Sequence, residues 1–290
     1  MGKFKIYILI VWLVLVLVKL EAQEEPVKDL PVRELFAGSM VIDNQTTVVP
    51  TLHTLEFLIQ HKFGAMDNGF SDLFGIMAPG ANIRLGLNFV PLKNLQVGYG
   101  LSRIRMSNDF SIKYTILEQT RENAIPIAVG LYSNATLDGR DKDELGTQFE
   151  FTNRFSYFTQ LIIGRKVTSR FSVQANGSFL HYNLMEKGID HDKFDVGING
   201  RFLVTAQGSI IFQYNHPLLI DGISEHREFI NPAQPNLGLG WEIRTSSHVF
   251  HLYVSSTDGL LPQYSNLYNQ YDFTKGEFMF GFTITRLYNL

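Results

Sequence analysis

The chain has 290 residues, no cysteine and a formal net charge of −3 at pH 7. Structural disulfides, thiol chemistry and lipoprotein anchoring at a cysteine are thereby excluded, and no strong field for nucleic acid or anionic lipid is implied. Aromatic residues make up 13 %, with 23 Phe and 12 Tyr, an enrichment that suits strands and membrane–water interfaces.

Lys3 and Lys5 precede an uninterrupted apolar run of 13 residues, Ile6 to Val18, and Ala22 stands where a small residue precedes a cleavage site. Such a run suits a signal-peptide core and falls short of the roughly 20 residues of a membrane-crossing helix. The expectation is a signal peptide over residues 1–22, with an uncleaved anchor as the rival and Glu21 leaving the exact cut open. A polar arm rich in acids and Pro follows over residues 23–47. Its Val32-Arg33-Glu34-Leu35-Phe36 stretch is compatible with a helical turn or a plug, and a mobile periplasmic tail is the favoured reading.

Residues 48–290 suffice for one large β domain. Apolar residues return there at every second position in twelve segments: 55–63, 83–89, 95–101, 110–116, 125–131, 155–163, 171–179, 194–202, 210–214, 237–243, 248–254 and 278–284. Faces such as Ile83, Leu85, Leu87, Phe89 and Phe278, Phe280, Phe282, Ile284 contain no Asp, Glu, Lys or Arg. The alternate face carries Glu56, Lys62, Arg84, Lys113, Arg154, Asp195, Arg201, Glu242, Arg244 and Glu277.

Period-2 patterning fits both a soluble sandwich and a membrane barrel; the connections separate them. They alternate long and short, from 216–235 at one extreme to 205–207 at the other. Outer-membrane barrels have an even strand count, short periplasmic turns and longer external loops. The fold expected is therefore all-β: a transmembrane antiparallel up-and-down β-barrel of about 12 strands, with both termini periplasmic in a Gram-negative outer membrane. The ten charged residues named above then line the lumen. On that assignment Leu85→Arg or Phe280→Arg should damage folding much more than Arg84→Leu, a lumen change that mainly tunes the interior. Outer-membrane lipid is one partner. The barrel-assembly machinery is another, since Phe278 to Leu290 keeps one parity to the terminus in the manner of its signal.

Candidate chemistry is sparse. His61, His181, His191, His216 and His226 fall near external strand ends or loops, with Asp190, Asp192, Glu225 and Glu228 beside them. Imidazole and carboxylate are good transition-metal ligands, but nothing in the spacing makes three converge, and ordinary loop polarity is the preferred reading. No Ser faces His61 or His181 as a hydrolase needs, and no Gly-rich phosphate loop opens a helix. No catalytic, cofactor or metal residue is assigned. Mixed lumen charges favour a narrow or occluded interior over a wide selective pore. Phe70, Leu73, Phe74, Ile76 and Met77 in the first loop, at roughly the spacing of a short amphipathic helix, and Tyr264, Tyr268, Tyr271 and Phe273 in the last, are expected to fold inward as a lid, with a partner or glycan surface as the alternative.

Leu55-Glu56-Phe57-Leu58-Ile59-Gln60-His61-Lys62-Phe63-Gly64, with Asn68-Gly69-Phe70-Ser71-Asp72-Leu73-Phe74-Gly75, resembles the opening of an uncharacterised outer-membrane β-barrel family widespread in Bacteroidota. Gln160 to Lys166 and His181-Tyr182-Asn183 are similar to the same family, and the likeness runs from about Phe36 to the C-terminus. Lys62 is a departure, since the family usually has Arg there. The resemblance implies a Gram-negative outer-membrane barrel and brings no activity or cofactor. The functional expectation is a non-enzymatic, porin-like narrow channel for small solutes. The alternative is an occluded structural or interaction barrel, such as a subunit of an envelope complex, and an outer-membrane enzyme stands third.

Overall fold

The computed structural model describes residues 29–146, 149–185, 191–220 and 232–290. The expected signal peptide lies outside these residues, as do Asp190 and His226 with its flanking acids. Two short strands, β1 (Met40–Val41) and β2 (Asn44–Gln45), form a hairpin of their own. Twelve longer strands follow. They are β3 (Thr54–Ala65), β4 (Asn82–Leu92), β5 (Leu95–Ser102), β6 (Ser107–Leu117), β7 (Ala128–Leu137) and β8 (Phe155–Lys166). The second half comprises β9 (Phe171–Tyr182), β10 (Asp192–Leu203), β11 (Gly208–Leu218), β12 (Asn236–Arg244), β13 (His248–Ser255) and β14 (Met279–Asn289).

Each of the twelve pairs antiparallel with its neighbours, and β14 closes on β3 with Ile284 opposite Ile59. Closure leaves no strand edge with unpaired backbone groups, which is the condition for strands to stand in hydrocarbon. The side-chain parity is inverted relative to a soluble domain. Leu85, Leu87, Leu101, Ile112, Leu161, Ile198, Leu239 and Leu252 stand exposed on the outside, while Glu56, Gln60, Lys62, Arg84, Asn199 and Glu242 are buried within. A sandwich would bury the first set and expose the second, so the barrel is settled. Rings gather on the outer surface near the rim of the longer loops, with His61 stacked on Phe282 at 5.3 Å and Tyr99 against Phe110 at 5.0 Å. Aromatic side chains at such a girdle match a membrane–water interface.

The fifth strand differs from its expected span. β7 begins at Ala128 and continues to Leu137, past the expected end at Leu131. Residues 125–127 are withdrawn because a turn closes there: Thr120 N–H donates to the Ile125 carbonyl (2.9 Å), and Ile125 N–H donates to Thr120 Oγ1 (3.0 Å). This link, 118–127, is the longest at its rim, and it is where the N-terminal arm docks. Pro31 forms a β-bridge with Thr120, and the Asp29 carboxylate accepts from Glu122 N–H at 2.9 Å.

Candidate functional site: a plugged lumen

Residues 23–28 of the expected arm lie outside the described residues; the rest is no mobile tail. Residues 29–49 enter the barrel at the rim of the short turns, run into the lumen, reverse in the β1–β2 hairpin and return to β3. At the entrance Lys166 Nζ donates to the Arg33 carbonyl (2.7 Å), and Glu34 pairs with Arg244. Burial opposes ionisation of Glu34, but the Arg244 guanidinium, with Arg201 and Lys166 behind it, outweighs that and holds its carboxyl below the ordinary value. Deeper in, Leu35, Phe36, Val41 and Ile42 pack against Ala128, Ile211 and Tyr253 of the wall. Wall glycines make room for them: a Cβ on Gly164 would lie 3.1 Å from Leu35, and one on Gly238 would lie 3.1 Å from Ile42.

The hairpin tip carries the strongest contacts. Asp43 Oδ1 lies 2.8 Å from Lys62 Nζ. Its Oδ2 accepts from Gln213 (2.9 Å), Asn236 (3.1 Å) and Ser255 (3.1 Å). Asn44 donates to Asn199 at 2.7 Å and to Asn215 at 2.5 Å. Along the stem Ser39 Oγ donates to Glu56 (2.8 Å), and Lys113 Nζ donates to the Ser39 carbonyl (2.9 Å). The carboxylates of Asp43 and Glu56 meet donors or a counter-charge, and the Lys113 ammonium meets the acceptors Ser39 O and Gln45 Oε1, as a buried charge requires.

Seven of the ten charged residues expected in the lumen lie buried there: Glu56, Lys62, Arg84, Lys113, Asp195, Arg201 and Glu242. Arg84 grips Asp109 through two hydrogen bonds (2.9 and 2.6 Å) and donates to Gln60 at 2.8 Å. The space for this fork comes from Gly100, where a Cβ would fall 2.3 Å from Asp109 Oδ2. Glu242 accepts from Arg201 Nε (2.5 Å), and its other oxygen meets His251 Nε2 at 3.1 Å. Asp195 accepts from Asn215 at 2.8 Å. The other three are placed elsewhere. Arg154 belongs to a 3-10 turn before β8, because Phe151–Arg154 leaves the ladder at the mouth. Arg244 ends β12 at the short-turn rim, half exposed beside Glu34. Glu277 precedes β14 in a loop, where its carboxylate accepts from Asp272 N–H (2.6 Å). Sequence reading missed Asp43, Asp109 and His251; for Asp43 the available signal was an Asp-Asn pair, a common turn former, directly after the apolar Met40-Val41-Ile42.

The last loop closes the opposite mouth. Its short helix α1 (Pro262–Leu267) sends the fully buried Gln263 down to Asn134 (2.6 Å) and Thr136 (3.0 Å). Lys62 also donates to the carbonyl of Gly259 in this loop at 2.9 Å, so one ammonium holds both the arm and the lid. Tyr264 and Tyr268 turn inward, as the lid expectation has it, but the first loop does not follow. Phe70 is 84 % exposed and Met77 71 %, because left-handed backbone at Gly69, Leu73, Phe74 and Gly75 breaks the amphipathic helix their spacing suggests. Two of the histidines come together, with the His181 and His191 ring centroids 6.4 Å apart: His181 meets Asp192 (2.7 Å) and Asn183 (3.1 Å) on the outer face, and His191 bonds the Tyr182 carbonyl at 2.7 Å.

The comparisons agree with this architecture. The NanC porin matches with a TM-score of 0.50 at 7 % identity, covering 81 % of this chain and 99 % of the porin. The COG4313 outer membrane channel from Pseudomonas putida F1 matches at TM-score 0.50 and 12 % identity, covering 83 % and 97 % respectively. At such identities the likeness is one of fold. No curated protein matches. The description "membrane bound beta barrel domain" (DUF5777) matches residues 36–288, nearly the whole barrel with most of its plug. The chain therefore belongs to this membrane-bound β-barrel family.

Proposed function

We propose that this protein is a closed channel of the Gram-negative outer membrane, a non-enzymatic barrel for small solutes held shut at rest by its own N-terminal arm. The observation that carries the reading is how the arm is gripped at its tip. Lys62, Gln213, Asn236, Ser255, Asn199 and Asn215 hold Asp43 and Asn44 through hydrogen bonds and one ion pair. Water can serve those same groups once the arm withdraws, which leaves a polar lining to the lumen. Two of the structures it resembles are named as a porin and an outer membrane channel, in agreement. A second reading, a permanently occluded barrel that docks an envelope protein, draws on the apolar cluster of Leu35, Phe36, Val41 and Ile42.

Planar-bilayer recording separates the two. The full chain is expected to be silent or rarely open, and a variant lacking both residues 29–47 and the lid helix Pro262–Leu267 to give stepwise currents. Silence from both would sink the channel and leave the occluded barrel.

The orientation we propose puts the long loops outside the cell and both termini in the periplasm, as in barrels of this architecture. With no native cysteine, impermeant maleimide on whole cells reads it directly. Gly139 is a poor site, since a Cβ there would meet the Met106 carbonyl at 2.4 Å, whereas Asp143 and Ala206 are exposed. Asp143→Cys should label, and Ala206→Cys should stay silent until the outer membrane is breached. The reverse pattern would invert the topology.

A further inference from the structure

The outer face of the wall keeps charge away from hydrocarbon with few exceptions. At the outward positions of the twelve strands the charged residues are Asp192, Arg165 and Arg286. Asp192 opens β10 beside His181, and Arg165 is exposed at the end of β8. Arg286 is placed differently. It stands on β14 between Ile284 and Tyr288, with His248 of β13 on one side and Phe57 of β3 on the other. Its guanidinium lies 5.1 Å from the centre of the Tyr288 ring, toward the short-turn rim, and donates through Nη1 to His248 Nε2 at 2.6 Å. Arginine can only donate, so His248 is the neutral ring with its hydrogen on Nδ1, 3.3 Å from Ser247 Oγ. His248 in turn stacks on Phe250 at 5.5 Å. The Arg286 Nε is buried and has no hydrogen-bond partner.

No carboxylate meets this cation among the described residues. Glu34, which the arm brings to the same rim, is paired with Arg244 on the lumen side. Asp29 is bonded at the β6–β7 link, with β3, β4 and β5 between it and β14. An arginine on a hydrocarbon-facing surface is costly unless its head reaches the interface and finds an anion there. The reach along the wall to Tyr288 meets the first condition. At that depth the surroundings supply phospholipid phosphate, and a guanidinium offers it paired, charge-assisted donors. With no carboxylate beside it to hold a headgroup ammonium, the cluster favours an anionic phospholipid over a zwitterionic one. We propose that Arg286, His248 and Tyr288 form a binding site for the phosphate of one anionic phospholipid, in the leaflet at the short-turn rim. Lipid binding there is independent of whether the barrel conducts, and in the orientation given above the leaflet is the periplasmic one.

Native mass spectrometry of the full chain in detergent tests it, with phosphatidylglycerol and phosphatidylcholine of matched acyl chains as probes. A first phosphatidylglycerol should be retained at concentrations about tenfold below those phosphatidylcholine needs. Arg286→Gln should weaken that retention by about tenfold or more, the range expected when a charge-assisted donor is lost. Arg286→Lys should keep only part of it, because an ammonium lacks the fork. Arg165→Gln removes a cation at the same rim that has neither histidine nor ring beside it, and should leave retention unchanged. Heat-modifiable migration on gels confirms that each variant is folded. Should Arg286→Gln fail to fold, the wild-type lipid preference and Arg286→Lys still decide the matter. Equal retention of the two lipids would overturn the site. So would equal losses in Arg165→Gln and Arg286→Gln, which would reduce the effect to general surface charge. Displacement of the lipid by equimolar inorganic phosphate would also overturn it, leaving an anion site with no claim on lipid.

Discussion

Arg84→Leu is expected to destabilise the barrel by about 3–5 kcal/mol, the cost of stranding one member of a buried ion pair. On sequence grounds the same substitution looks much milder than an arginine on the outer face, a leucine replacing a lumen residue. The structure reverses that expectation, because Arg84 is buried and its guanidinium supplies two of the hydrogen bonds that hold Asp109. Without it the Asp109 carboxylate keeps only Asn134, at 3.1 Å. Removing the acid as well, in Arg84→Leu with Asp109→Ala, should recover most of the loss, since no charge is then left buried. Urea unfolding from lipid vesicles, followed by the fluorescence of Trp241, measures both. Equal destabilisation of single and double variants would show that packing around Gly100, and not the pair, governs the site.

A charge on the outer face should cost nearly as much, and its cost should depend on depth. Ile59, Leu85 and Ile284 share one rung of the wall near the middle of their strands. Leu85→Arg or Ile284→Arg should each cost about 2–4 kcal/mol, the penalty of arginine at the bilayer midplane. Phe280→Arg should cost only about 0–1 kcal/mol, because Phe280 is the second residue of β14 and lies at the rim. The same unfolding assay applies. A flat profile across the three positions would mean that this surface does not face hydrocarbon.

The outward face was legible because lipid imposes a local, residue-by-residue rule: Leu85, Ile112, Ile198 and Leu252 all obey it whatever their neighbours. The strand count and alternating links followed from the same periodicity. The arm was not legible, because its decisive contacts are with residues far away in the chain. Nothing in Ile42-Asp43-Asn44 advertises Lys62 or Gln213. The lumen face also mixes apolar residues among its polar ones: Ile211 packs against the plug, whereas Phe158, Ile162 and Leu180 form a cluster of the wall itself with Tyr132 and Tyr182, against which Tyr268 of the lid packs. The two aromatic loops show the same limit. Phe70 and Tyr264 look alike in composition, but only Tyr264 has an Arg105 beneath it.

The plug's wiring has a consequence for the order in which the molecule is built. Asp43 bonds to Gln213, Asn236 and Ser255, which follow it by 170, 193 and 212 residues. Contacts of such separation form late, after the chain between them has found its own neighbours. The entropy of closing so long a loop rises only slowly with length, so delay and not instability is the result. A nascent β3 thus meets the periplasm with the Lys62 ammonium bare to water, and the hairpin finds no socket until β11, β12 and β13 are paired. Strand pairing from β3 to β10 has the arm's contacts at Glu56, Lys113, Glu122 and Lys166 to draw on, but not the three bonds to Asp43 Oδ2. The vessel is closed first and its stopper is fitted last.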